Sequence, residues 1–343
     1  MSLNKEKREA AQRYLLEQIS NNCIDAIKKT SEAFDITPGA VYGYIRKFIE
    51  QGVIEKNDSF YKLVPTVSES FQIDLTTLQE GDESIIYETK IYPTISNLSK
   101  SVLRIWEYTC TEMINNVIEH SGASIMNVQI SQDYLNTTIV ISDNGVGIFQ
   151  KITDHFHFIS LDIVIEELFK GKLTTDTSNH TGEGIFFSSR MMDVFAAISN
   201  GKTYLYSKFD SPIVSLNSNI DIGTVVFMSL ANNSNNTTTD VFNKYSDVDE
   251  GFVKTQIPMK YLFNKYPVSR SQAKRLVKRF ESFSEVMIDF EGIDSIGQGF
   301  ADELFRVYRS NHPSIKIVPI NCNGNVERML RHVEARGKEL AEE

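Results

Sequence analysis

The stretch Thr111-Glu112-Met113-Ile114-Asn115-Asn116-Val117-Ile118-Glu119-His120-Ser121 decides how the chain is read. Glu112, Asn116 and His120 recur every four residues and so share one helical face. Met113, Ile114, Val117 and Ile118 supply the side that packs inward. A carboxylate, an amide and an imidazole in one row suit ligand chemistry. They suit a solvated polar stripe equally well, and the row alone does not choose.

Three further stretches follow in order. Thr137 to Ser142 reads as a strand that runs into Asp143-Asn144-Gly145-Val146-Gly147. A carboxylate at a strand end can accept a hydrogen bond from an exocyclic adenine amine, and Gly145 and Gly147 let backbone come close to a base and sugar. Asp-Asn-Gly is also good tight-turn chemistry. Gly182 and Gly184 open the next helical stretch, where free amides without side chains can meet phosphate oxygens. A lone Gly-x-Gly is commonly just a loop. Gly223-Thr224 heads a strand, with a hydroxyl placed to support the base-binding carboxylate.

Taken in this order, Glu112 and Asn116, Asp143-x-Gly145-x-Gly147, Gly182-x-Gly184 and Gly223-Thr224 resemble the nucleotide boxes of the GHKL superfamily. That group holds gyrase, heat-shock chaperone ATPases, mismatch-repair ATPases, histidine kinases and anti-sigma serine kinases. The resemblance covers most of residues 95–230. It implies the α/β sandwich of the Bergerat fold, with ATP between helices and sheet. It further implies Mg²⁺ held by Asn116 and the phosphates, adenine read by Asp143, and a mobile lid across 149–181.

Within that superfamily, Glu112 separates the branches. Histidine kinases usually carry Asn here, and an amide cannot accept a proton, whereas a carboxylate can act as general base. None of His120, His155, His157, His180, His312 or His332 has the setting of a phosphoacceptor. Glu112 therefore points to hydrolysis, or to transfer onto serine as in the anti-sigma kinases. His120 is placed to orient Glu112 or touch phosphate, or else packs beside its helix. Lys172, in the expected lid, can reach a γ-phosphate as a cation, although a solvated loop lysine is the commoner case. The phosphate box holds two glycines where many relatives have three, which suits slow turnover.

The first block, 1–66, reads as helix, helix, turn, helix and hairpin. Thr37 is the expected N-cap of the third helix and Pro38 its first residue. Val41, Ile45, Phe48 and Ile49 form its expected buried side, and Gly52 its end. The block resembles a winged helix-turn-helix. That resemblance would place Tyr42, Arg46 and Lys47 in a DNA major groove, with Lys56 and Lys62 near phosphates. A protein-interaction winged helix fits the charge better, since residues 1–64 carry ten Lys/Arg and nine Asp/Glu.

Ala231-Asn-Asn-Ser-Asn-Asn-Thr-Thr-Thr-Asp240 is a polar run, and the stretch 231–250 reads as a linker. The last block, 251–343, alternates strand and helix, with helices expected at 269–283, 300–310 and 325–335. Through Val286-Met-Ile-Asp-Phe290 to Leu304-Phe305 it resembles STAS domains, in particular a STAS-like domain that follows GHKL domains in bacterial proteins. Antagonists of the anti-sigma type carry a phosphorylatable serine in the loop after this strand. Here Ser295 sits one or two positions early and Gly297-Gln298-Gly299 occupies the expected place, which weakens a serine switch.

The fold class read from sequence is thus multidomain α+β, with a winged helix-turn-helix, a GHKL domain at 70–230 and a small STAS-like domain. Composition is ordinary for a folded chain, 41% hydrophobic and 23% charged. The net charge of −10 does not favour nucleic acid. Three scattered cysteines argue against structural zinc and suit a reducing cytoplasm. No apolar run is long enough to cross a bilayer and no signal-peptide core opens the chain. The leading expectation is a cytoplasmic regulator that binds ATP and Mg²⁺, meets DNA through its head and meets a protein partner through the STAS-like domain. The alternatives are an anti-sigma-type serine/threonine kinase and a slow ATPase, for which a homodimer is the working assembly.

Overall fold

The computed structural model describes residues 4–342, apart from 59, 80, 174–181, 210–221 and 264. Chain contacts divide it into two units. The first unit holds residues 1–148, 191–201 and 206–237, and the second holds 149–190, 202–205 and 238–343.

The first unit opens with three helices: α1 (Lys5–Ser20), α2 (Ala26–Phe34) and α3 (Pro38–Glu50). Each start has a chemical cause. Asn4 accepts the Lys7 amide at 2.8 Å, and Thr37 accepts the Ala40 amide at 3.2 Å with Pro38 behind it. Helix α3 buries Val41, Ile45 and Phe48 at helical spacing. Ile49, expected inside, is 43% exposed, because one face of a single helix takes only part of an apolar row. Gly52, at φ 68°, ends the helix. The hairpin of β1 (Ile54–Asn57) and β2 (Phe60–Leu63) follows, paired from Ile54–Leu63 to Asn57–Phe60.

The main sheet of the first unit is antiparallel and starts with β3 (Val67–Asp74), β4 (Ile125–Gln132) and β5 (Asn136–Asp143). It continues through β6 (Val194–Ser199) and, beyond β7 (Lys202–Ser207) in the chain, through β8 (Thr224–Ala231), in the order β3-β4-β5-β8-β6. Met126, Val128 and Ile130 are buried at alternate positions, as are Ile139 and Ile141 on the next strand. A helix at Lys100–Asn115 buries Val102, Ile105, Trp106, Met113 and Ile114. The core of the first three helices includes Leu135, in the turn between β4 and β5, and the Phe48 ring lies 6.1 Å from that of Tyr134. The head and the sheet therefore share apolar packing.

The second unit is built on a parallel sheet of Lys254–Pro258, Glu285–Asp289 and Lys316–Ile320, with the 285–289 strand in the middle. The helix at Arg270–Leu276 starts on a reciprocal cap in which Ser269 and Gln272 satisfy each other's backbone amides. It stops short of the expected Phe283 because Arg279 is left-handed at φ 64°, which turns the chain into a short 3₁₀ segment at Phe280–Ser282. The stretch 231–250, expected as a linker, carries a helix at Thr238–Tyr245. The polar run continues into half-buried Phe242 and buried Tyr245, whose rings meet Phe187 at 4.6 Å and Phe186 at 5.0 Å, and this aromatic packing outweighs a weakly helical start. The helix expected from Gly184 to Phe195 ends at Met191, and the chain then enters β6.

Candidate functional site

Strand β5 delivers Asp143 to the end of the main sheet, half-buried. Its Oδ1 accepts the Gly145 amide at 2.7 Å. Burial pushes the Asp143 carboxyl above the usual carboxylate range, and the Gly145 and Thr224 amides offset only part of that. The chain around it has no room for side chains. A Cβ on Gly145 would stand 2.3 Å from the Ser121 carbonyl oxygen, and one on Gly223 would stand 1.9 Å from that of Asp143. Gly147, at φ 86°, would meet Asn200 Oδ1 at 2.4 Å. Gly145 and Gly223 are dictated by close backbone approach, and Gly147 by its positive φ beside the Asn200 and Ser199 side chains.

Thr224 supports the same loop. Its Oγ1 accepts the Ile148 amide at 3.0 Å, so β8 holds the residue that follows Gly147. Val146 donates its amide to the Ser121 carbonyl at 3.0 Å, which ties the loop to the end of the helical row. Three supports were not singled out by sequence. Asn144 Oδ1 accepts the Ser124 and Ile125 amides, both at 3.0 Å. The Ser199 hydroxyl donates to the Gly223 carbonyl at 2.8 Å, and Asn200 Nδ2 to the Val146 carbonyl at 3.4 Å. Ser199-Asn200-Gly201 carries only a turn signal in the sequence, and nothing in it shows that the turn faces residue 147.

Glu112, Asn116 and His120 do lie on one continuous helical stretch, all half-buried. The helix is α-helical to Asn115 and π-helical from Asn116 to His120. A π turn widens the hydrogen-bond ring to i→i+5 and is a common signature of functional helices. His120 Nε2 lies 3.9 Å from Glu119 Oε2. The first unit thus places Glu112, Asn116, His120, Asp143, Gly145, Gly147 and Thr224. Tyr42, Arg46 and Lys47 are exposed on α3, as are Lys56 and Lys62 on the hairpin.

The second unit holds the other three expected residues. Gly184 opens its helix, and Gly182, at φ 71°, has the Leu173 amide nitrogen 2.6 Å from where a Cβ would stand. Lys172 is half-buried. Its ammonium donates to the Ser282 carbonyl at 2.8 Å, with the Phe252 and Phe283 rings 5.7 and 5.2 Å away. A neighbouring carbonyl and two aromatic faces surround its ammonium.

Among the described residues no group of three or more His, Cys, Asp or Glu is arranged to hold a metal ion. No helix of the described residues is long and apolar enough to cross a membrane.

Residues 272–327 match the family model described as a STAS-like domain of unknown function, DUF4325. No curated protein matches the chain. The C-terminal block is therefore STAS-like, in a mixed α+β chain with several sheets. Its Ser295 loop is tightly packed. Gly297 donates its amide to the Pro267 carbonyl at 2.9 Å, and a Cβ there would meet the Val268 carbonyl oxygen at 2.7 Å.

Proposed function

We propose that the first unit binds an adenine nucleotide, and that binding tunes how the chain meets DNA and a protein partner. One observation carries the reading. Asp143 is a half-buried carboxylate with no cation among the described residues shifting it, held by two backbone amides between glycines that leave little room for a side chain. A buried acceptor with that raised pKa is stabilised by a ligand amine that donates to it. The ordered GHKL-like boxes make adenine the amine of choice. Asn116 would hold Mg²⁺, which would neutralise phosphate charge when the nucleotide is bound.

Isothermal calorimetry with ATP and Mg²⁺ tests this directly. The wild type should bind, and Asp143→Asn should lose most of the affinity. Equal affinity in the two proteins would remove the base pocket from Asp143.

The regulatory half of the reading rests on the head. Tyr42 and Arg46 are one helical turn apart on the exposed face of α3, beside Lys47. The shared packing of Phe48, Leu135 and Tyr134 offers a physical route from the sheet to that helix. If nucleotide alters DNA affinity, DNA must alter nucleotide affinity by the same factor.

A second reading is supported by Glu112. A half-buried carboxylate one turn before Asn116 is placed as a general base for hydrolysis, or for transfer to a serine or threonine hydroxyl. Incubation with γ-labelled ATP separates the readings: label on protein favours a kinase, free phosphate an ATPase, and neither a binding switch.

A further inference from the structure

The cations of the chain are spread unevenly, and a dense run of them lies in the second unit rather than in the head. Residues 265–280 carry six Lys/Arg and no Asp or Glu, in a chain whose net charge is −10. Residues 1–64 set ten Lys/Arg against nine Asp/Glu. A basic stripe on an acidic chain is the electrostatic footprint of a polyanion site, and the total charge conceals it. Two of the six cations are engaged by largely buried carboxylates: Arg275 reaches Glu166 at 2.9 Å, and Arg279 reaches Glu167 at 2.9 Å. The other four, Lys265, Arg270, Lys274 and Lys278, are exposed.

Arg270 and Lys274 stand one turn apart on the helix at Arg270–Leu276 and share a face. Asp302 already takes the fork of Arg306, whose Nη2 donates to it at 2.8 Å. Arg270, 3.2 Å from the same carboxylate and 65% exposed, is a second cation on an engaged acceptor. Lys274 lies 4.0 Å from Glu303 and is 68% exposed. Lys265 and Lys278 form no ion pair among the described residues. The segment ahead of the helix is pinned: the amides of Asp294, Gly297 and Phe300 donate to the carbonyls of Lys265, Pro267 and Val268 at 2.9, 2.9 and 3.1 Å. Tyr266, beside Lys265, is 51% exposed. Asp294 is the acidic residue of the loop 294–300.

We propose that Lys265, Arg270, Lys274 and Lys278 form a sequence-independent docking face for the phosphate backbone of duplex DNA. Each phosphate that a cation neutralises releases a counterion from the duplex, and these four give up little within the fold to do it. Three of the four are lysines, which protein interfaces disfavour and which serve phosphate as point charges. The Tyr266 hydroxyl adds a donor of the kind that meets phosphate oxygens. A phosphate backbone therefore fits this face better than an acidic protein surface does. The choice of DNA as the polyanion rests on the DNA half of the function proposed above; the cation face itself does not.

Fluorescence anisotropy of the full chain with a labelled short duplex of arbitrary sequence, titrated at several salt concentrations, tests the face. Replacing Lys265, Arg270, Lys274 and Lys278 together by glutamine should reduce the log–log salt slope by about three to four. Lys265→Gln with Lys278→Gln alone should reduce it by about two, and this pair leaves the ion pairs of the described residues in place should the fourfold variant fold poorly. An unchanged slope in a folded variant overturns the face. Polyglutamate that displaces the duplex as well as unlabelled DNA of equal charge overturns it too, because the partner is then an acidic protein. An RNA duplex that competes better than DNA overturns the assignment to DNA. The Arg46→Ala, Lys47→Ala protein separates this face from the head. A slope reduced only in that protein overturns the second-unit face and keeps the head; a slope reduced only in the 265–278 variants supports the face and removes the head. A wild type that binds no duplex overturns both.

Discussion

The Asp143 loop of the first unit and the Glu167 cluster of the second both remove carboxylates from water, and they settle the cost in opposite ways. Glu167 meets Lys170 and Arg279, each within 3 Å. Among the described residues Asp143 meets backbone amides, and burial raises its pKa. A buried charge surrounded by opposite charges is finished business for the fold. One held only by dipoles leaves free energy for a ligand to collect. The two carboxylates look alike as acidic residues on a sequence, and only their surroundings separate them.

The largest effect should come from breaking the finished cluster. Glu167→Ala strands the Lys170 and Arg279 charges, and removing one partner of a buried pair costs about 3–5 kcal/mol. A denaturation midpoint close to wild type would show that these charges are less buried, or less coupled, than the structure has them.

Next comes Glu112→Gln. The amide keeps the shape and loses the basicity, so any turnover should fall by about 10²–10⁴-fold while ATP affinity is kept. Parental turnover in the glutamine variant would exclude Glu112 as the base and leave it a member of a solvated face.

Asp143→Asn should cost about 1–3 kcal/mol of ATP binding, because an amide can present a donor where the base amine needs an acceptor. Its effect on stability should run the other way. A carboxyl whose folded pKa is raised carries no penalty while protonated in both states, and the penalty grows as pH rises through the folded value. The asparagine variant should therefore melt higher than wild type near neutral pH, with the gap closing on acidification into the carboxylate range. A lower melting temperature at neutral pH would mean that Asp143 is a structural loop residue, and the contrast with Glu167 would collapse.

The smallest effect is expected at the head. Arg46→Ala with Lys47→Ala should weaken DNA binding and reduce its log–log salt slope by about two, one counterion equivalent for each lost phosphate contact. A slope unchanged by the double substitution would favour a protein partner for α3.

Much of the local structure was legible because its causes are local. Thr37-Pro38 announces a helix start, Gly52 its end, and the alternation from Ile54 to Leu63 a hairpin. In the C-terminal block the strands at Glu285–Asp289 and Lys316–Ile320 could be read from apolar runs between helical patterns, and the one at Lys254–Pro258 was not. Reading failed where a distant partner decided the outcome. The helix at Thr238–Tyr245 follows a run of Asn and Thr and depends on Phe186 and Phe187, some fifty residues earlier. Ile49 has the right period for burial, but the face it occupies is open.

The sequence by itself determined the element order, the helix caps, the row of Glu112, Asn116 and His120, and the glycines flanking Asp143, since spacing and backbone freedom are written residue by residue. The tertiary structure alone decided which charges are spent. Nothing in Gly171-Lys172 tells a solvent-facing lysine from one whose ammonium is given to a carbonyl 110 residues away. Nothing around residue 143 shows that two amides, and no cation, meet its carboxylate. Compensation of a buried charge is a property of the neighbours the fold supplies, and those neighbours are remote in the chain.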